Sequence, residues 1–154
     1  MTKLRGFEVV SDTNRKHKKV ELNAPQRADA KSAGYDFFTP TDINIHPGRQ
    51  VVVWTDVKAY MQENEVLQLF VRSSVGIKRG VVLANGTGII DASYYNNPDN
   101  DGNIGICLIN NSKIVQHFEA GERIAQGIFT AYLVADDDNV LHNERKGGFG
   151  SSGK

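Results

Sequence analysis

Asp91 ends the run Gly88-Ile89-Ile90, shortly after Gly86-Thr87. A carboxylate there, beside glycines that permit close backbone approach, can hold and deprotonate a water molecule. The alternative is an aspartate that caps a turn. Arg72-Ser73-Ser74 follows another apolar run and opens a short stretch of helix-compatible sequence. A guanidinium, two hydroxyls and backbone N–H groups aimed at one point suit phosphate oxygens, although a plain helix cap uses the same residue types. Tyr94 and Tyr95 follow Asp91 and can wall a pocket or simply pack. Residues 147–154, Gly-Gly-Phe-Gly-Ser-Ser-Gly-Lys, place the single ring of Phe149 on a glycine-rich segment, as a lid over a flat ligand would.

Other patterns imitate chemistry they do not support. Gly148 to Lys154 matches G-x-x-x-x-G-K, but a P-loop needs a strand leading into it. Asn97-x-Asp99-x-Asp101-Gly102 begins like an EF-hand loop, yet Leu108 stands where a bidentate glutamate is required, so a surface turn is expected. His17, His46, His117 and His142 have no metal-ligand spacing. Cys107 lies in the apolar run Ile104 to Ile109 and reads as a buried, inert thiol.

The elements that must carry these residues are short and rich in β-branched side chains. Val51 to Trp54, Val66 to Val71, Val81 to Leu83, Ile104 to Ile109 and Ile124 to Val134 read as strands, with turn clusters at 39–42, 46–48, 86–88 and 96–102. Ser73 to Arg79 is expected to form one short helix capped by Ser73 or Ser74. The fold class is all-β, a sandwich or barrel, in a chain of 154 residues that suits one domain. Net charge is zero, and 18 basic residues balance 18 acidic ones. That excludes the basic footprint of a nucleic-acid polymer binder; the cluster from Lys3 to Lys19 reads as a solvated face. One cysteine and no membrane-length apolar run point to a reducing, cytoplasmic setting without a membrane partner.

Five segments stand in a telling order: Ala33-Gly34-Tyr35-Asp36; Arg72-Ser73-Ser74; Asn85 with Gly88 to Tyr94; Gly121 to Gln126; and Arg145 with Gly147 to Gly153. Together this order resembles the five-motif pattern of the trimeric dUTP pyrophosphatases, the dUTPases, from about residue 33 onward. The resemblance implies a jelly-roll-like β-barrel (β-clip) over residues 1–142 and a flexible glycine-rich tail over 143–154, closing on a neighbouring subunit. It implies a homotrimer that cleaves dUTP to dUMP and pyrophosphate, which keeps uracil out of DNA and supplies dUMP for thymidylate synthesis. Mg²⁺ is implied as cofactor, held through substrate phosphates and waters with no dedicated protein ligands.

Carried onto this chain, the resemblance makes Asp91 the group that deprotonates a water attacking the α-phosphorus. Arg72, Ser73, Ser74 and Gln126 bind phosphates, and Asn85 holds an ordered water near the base. The hairpin from Ile89 through Ile90 to about Gly105 reads uracil, and Tyr94 sits under deoxyribose. Arg145 reaches the phosphates, Phe149 stacks on uracil, and Asp36 has a structural role. Two departures stand out: Glu144 occupies the usual place of the tail arginine, and residues 95–101 lengthen the hairpin turn. The rivals are a dCTP deaminase, which wants a glutamate base that is missing around Asp91, and a regulator of this fold that binds a protein partner in a nucleotide-dependent way.

Overall fold

Alternation along the short apolar runs decides what each strand buries. In the computed structural model, which describes residues 2–143, the strands are β1 (Gly6–Val9), β2 (Gln26–Arg27), β3 (Tyr35–Phe38), β4 (Ile43–Ile45), β5 (Gln50–Trp54) and β6 (Val57–Tyr60). They continue as β7 (Glu65–Phe70), β8 (Val81–Leu83), β9 (Gly88–Asp91), β10 (Gly105–Asn110), β11 (Gln116–Phe118) and β12 (Arg123–Ala131). The largest sheet runs β2-β3-β12-β7-β9; the others are β5-β10-β8, β1-β6 and β11-β4. Every one of these pairings is antiparallel. The fold is the expected jelly-roll-like β-barrel. Its core is filled by Phe37, Leu67, Ile104, Ile106, Leu108, Phe118 and Ile124, all almost wholly buried. Phe7 extends it, meeting Phe37 edge-on and gathering Tyr35 and Phe129 into a cluster of tilted and edge-on rings.

Three expectations are corrected. The short helix forms where expected, as a π-helical turn over Ser74–Lys78, but the serine cap does not: Ser73 is itself helical and makes no side-chain cap bond. Instead the Arg72 carbonyl accepts from both Val75 and Gly76 N–H groups, which closes the first turn without a cap. The last apolar run leaves the sheet at Ala131, where pairing with β7 ends at Glu65. Leu133 and Val134 beyond it are exposed. The basic cluster is only partly a solvated face: Arg5 pairs with Glu65 at 2.7 Å, and Arg15 is largely buried beside Asp56.

The long turn after Tyr94 is ordered by its own asparagines and by its neighbours. The Asn97 side chain accepts from Asp99 N–H and the Asn100 side chain from Gly102 N–H. Asn96, Asp101 and Gly102 adopt positive φ. Lys58 on β6 donates to Asn96 Oδ1 at 2.7 Å and to Asp101 Oδ2 at 2.9 Å. These bonds order the segment as a turn. They also join the turn to the β1–β6 layer, where Tyr95 donates its hydroxyl to Glu8 and the Lys58 ammonium lies 5.0 Å from the Tyr95 ring.

The Tyr95–Glu8 bond sets a pH dependence. The bond to the Glu8 carboxylate, followed by burial, pushes the Tyr95 phenol from its ordinary 10.0 up to about 12. The protonated phenol is therefore the stabilised form. Its contribution is fully present below pH 10 and is lost as pH rises through about 12. Tyrosinate absorbance should show a late step near pH 12 that Tyr95→Phe removes. The same late step in the variant would contradict the assignment.

Candidate active site

β9 pairs with β7 so that Gly88, Ile89, Ile90 and Asp91 oppose Leu69, Gln68, Leu67 and Val66. Period-two alternation sends Ile90 into the core and leaves Ile89 and Asp91 exposed on the other face. Gly88 fits because a Cβ there would lie 2.9 Å from Leu69 Cβ. The chain then turns through a short 3₁₀ segment, Ala92–Tyr94, and returns as β10. A cavity of about 680 Å³ opens between these segments. It brings together Asn85, Ile89, Ile90, Asp91, Tyr94 and Gly105 among its lining residues.

Tyr94 is 4% exposed, and its hydroxyl is fixed at both ends of its hydrogen-bonding capacity. It donates to the Asn103 carbonyl at 2.6 Å and accepts from Asn100 Nδ2 at 2.7 Å. The ring is thus a rigid wall of the cavity. Gly105 pairs with Trp54, whose indole covers it; a Cβ at 105 would lie 2.8 Å from Trp54 Cζ3. With no side chain at 105, the cavity meets bare backbone there. Backbone N–H and C=O groups at such a place can distinguish one pyrimidine edge from another.

The phosphate-type residues gather elsewhere. Gln126 on β12 stands opposite Asp36 on β3 and Phe70 on β7, so three neighbouring strands converge at one sheet end. Arg72, Ser73, Ser74, Gln126, Gly34 and Asp36 line a second pocket of about 330 Å³. Asp36 is 6% exposed and lies 3.4 Å from both Arg72 and Arg123. It orients the two guanidiniums, which bears out its structural reading. Gly34 is needed because a Cβ there would collide with Gln126 Oε1. The pocket offers a guanidinium, hydroxyls and an amide, a donor set for anionic oxygens.

One chain does not bring Asp91 to this pocket. Asp91 opposes Val66 near the start of β7, whereas Arg72 lies two residues past its end at Phe70. At about 3.3 Å per residue, the stretch of β7 from Val66 to Phe70 alone spans roughly 13 Å.

Several site residues were not foreseen. Gln50, Thr87 and Cys107 line the larger cavity, and Ala28 and Ser32 line the smaller one. Cys107 is only half-buried, because alternate residues of β10 face away from the core. Burial still pushes its thiol upward, so it stays protonated at neutral pH. No sequence signal marked these positions. Arg145 and Phe149 lie outside the described residues, as does most of the expected 143–154 lid. Among the described residues no group of three or more His, Cys, Asp or Glu is placed to hold a metal ion. No described helix is long and apolar enough to cross a membrane.

Comparison with known proteins accords with this geometry. The dUTPase family model matches residues 20–153. The deoxyuridine 5'-triphosphate nucleotidohydrolase of Lactococcus lactis is 45% identical over 152 residues, covering 98% of this chain and 99% of the relative. The crystal structure of dUTPase from Streptococcus mutans is 44% identical and superposes with a TM-score of 0.75, covering 85% of this chain and 98% of that one. The Staphylococcus bacteriophage 80alpha dUTPase, solved with dUPNHPP, is 26% identical with a TM-score of 0.71, covering 99% of this chain and 100% of that one. With the match running through nearly the whole length, this chain belongs to the dUTPase family.

Proposed function

We propose that this chain hydrolyses dUTP to dUMP and pyrophosphate, with each active site assembled from more than one copy. The placing of Asp91 in one pocket and of Arg72, Ser73, Ser74 and Gln126 in another, at opposite ends of β7, carries this reading. A general base must come within hydrogen-bond reach, about 3 Å or one water, of the proton it takes. The α-phosphorus is part of the same triphosphate that Arg72, Ser73, Ser74 and Gln126 hold. Asp91 of one copy therefore works on phosphates bound by another, and three copies close the arrangement as a ring. Leu133, Val134, Val140 and Leu141, all more than half exposed in the single chain, supply apolar surface for such packing. Residues 143–154 bring Arg145 and Phe149 to a neighbour's site in this reading.

Each residue has a defined task. Asp91 orients the attacking water and takes its proton as the oxygen bonds to the α-phosphorus, and pyrophosphate leaves. Asn85 and the backbone around Ile89, Ile90 and Gly105 face the base. The fixed Tyr94 ring lies under the sugar and leaves no room for a 2′-hydroxyl. The donor set of the smaller pocket suits phosphate oxygens and offers few metal ligands, so it fits a metal that arrives on the substrate. Mg²⁺ bound to the triphosphate would neutralise charge there, as substrate-borne Mg²⁺ does in phosphoryl transfer. Among the described residues no glutamate lines the larger cavity, which favours hydrolysis over deamination.

Asp91→Asn should lower turnover by about 10²–10⁴-fold with little change in dUTP affinity, measured by pyrophosphate release and by calorimetry. Near-native turnover would remove Asp91 from the role. Gly34→Ala should act on the other pocket by displacing the Gln126 amide. Pyrophosphate affinity should fall about tenfold while the melting temperature changes little, because the displaced group ends a flexible side chain. Unchanged pyrophosphate affinity would contradict a phosphate role for Gln126.

A further inference from the structure

The hairpin that closes the larger cavity ends on a buried carboxylate with no part in the chemistry above. Asp56 is 0% exposed and has a φ of 59°, unusual for a residue other than glycine. Its Oδ1 accepts from Lys16 N–H at 2.8 Å and from Asn103 Nδ2 at 2.9 Å; its Oδ2 accepts from His17 N–H at 2.8 Å. Its own N–H donates to Asn103 Oδ1 at 2.9 Å, and its carbonyl accepts from Val10 N–H at 3.0 Å. Asp56 and Asn103 thus hold each other through two bonds. The neighbouring Thr55 hydroxyl donates to the Ile104 carbonyl, and Ile104 N–H donates to the Val57 carbonyl.

These bonds end on the two parts of the cavity that discriminate. The Asn103 carbonyl receives the Tyr94 hydroxyl, and Gly105 follows Ile104 directly. A buried carboxylate satisfied by three N–H groups is costly to disturb, since losing any partner leaves a desolvated polar group. We propose that Asp56 is a positioning residue for substrate selection: through Asn103 it fixes the Tyr94 ring and the Gly105 backbone, and it couples both to the basic loop at 15–20. This rests on the reading of the larger cavity as the base and sugar site. Asp56 touches no substrate; its effect is on which nucleotide fits.

The test uses the full chain with Asp56→Asn and Asp56→Gly. Asparagine presents an N–H to one of the three donors, and glycine keeps the positive φ while deleting the carboxylate. The readouts are the kcat/KM ratios of dUTP over UTP and of dUTP over dCTP, beside calorimetric affinity for inorganic tripolyphosphate. Both ratios should fall by about tenfold or more, with tripolyphosphate affinity unchanged, since the phosphate residues lie in the other pocket. Native ratios in either folded variant would overturn the inference, as would tripolyphosphate affinity falling in step. If neither variant folds, Arg15→Met decides: it loosens the loop that donates to Asp56, because Arg15 closes it through the His17 and Val20 carbonyls. A several-fold loss of the ratios supports the inference, and unchanged ratios overturn it. A native chain with no preference for dUTP would instead overturn the reading of the cavity, and the inference with it.

Discussion

Strand β7 sets the distances on which this protein depends. It lies between β12 and β9 in the largest sheet, and its register with each is continuous along its length. On the β12 side, pairing at Phe70 puts Gln126 near Arg72 and, through β3, near Asp36. On the β9 side, pairing at Val66 puts Asp91 at the other end. A one-residue slip would turn Asp91 into the core and Ile90 out, so the register is held by the apolar face itself. The consequence is chemical. A sheet built this way places Asp91 and the Arg72 pocket at opposite ends of one strand, which is the arrangement the proposed sharing of sites between copies rests on.

The two pockets are built in different ways. The smaller pocket relies on side chains near the surface, with the ion pairs of Asp36 to Arg72 and Arg123 setting their direction. Phosphate oxygens tolerate small changes in donor position, so such a site suits long side chains. The larger cavity relies on backbone and on a clamped ring, which have little freedom. Its support is a polar network through Tyr94, Asn100, Asn103 and Asp56, with the turn itself tied down by Lys58. Burial alone would raise the Asp101 carboxyl, but the Ser11 N–H and the Lys58 ammonium outweigh it and hold it below its ordinary value. Separating similar nucleotides calls for rigidity of this kind, because the wrong molecule then leaves buried groups unpaired.

Much of this was legible in the sequence where chemistry and spacing coincide. The residues singled out for chemistry gather in two pockets, Asp91 in one and Arg72, Ser73, Ser74 and Gln126 in the other, and the short β-branched runs are strands. Less visible were features that depend on contacts distant in sequence. Asp56 meets Lys16 and Asn103, 40 and 47 residues away, and no local pattern joins the three. The bare backbone at Gly105 is explained by Trp54, known only once β5 and β10 are paired. Serine favours the cap position, but Ser73 is itself helical and the first turn closes through the Arg72 carbonyl, which accepts from both Val75 and Gly76. Cys107 was read from the average hydrophobicity of its run, whereas strand alternation places it on the cavity side.

The central claim is that neither pocket acts alone and that different copies supply them. It is tested most directly by mixing two inactive chains, Asp91→Asn and Arg72→Ala, by co-expression or by joint refolding. Each alone should hydrolyse dUTP very slowly. In a random mixture a site works when its cavity comes from an Arg72→Ala chain and its phosphate pocket from an Asp91→Asn chain. Shared sites should therefore restore about a quarter of native turnover. Assembled mixtures that remain as inactive as their parents would show that one chain must supply both residues, and would contradict the account.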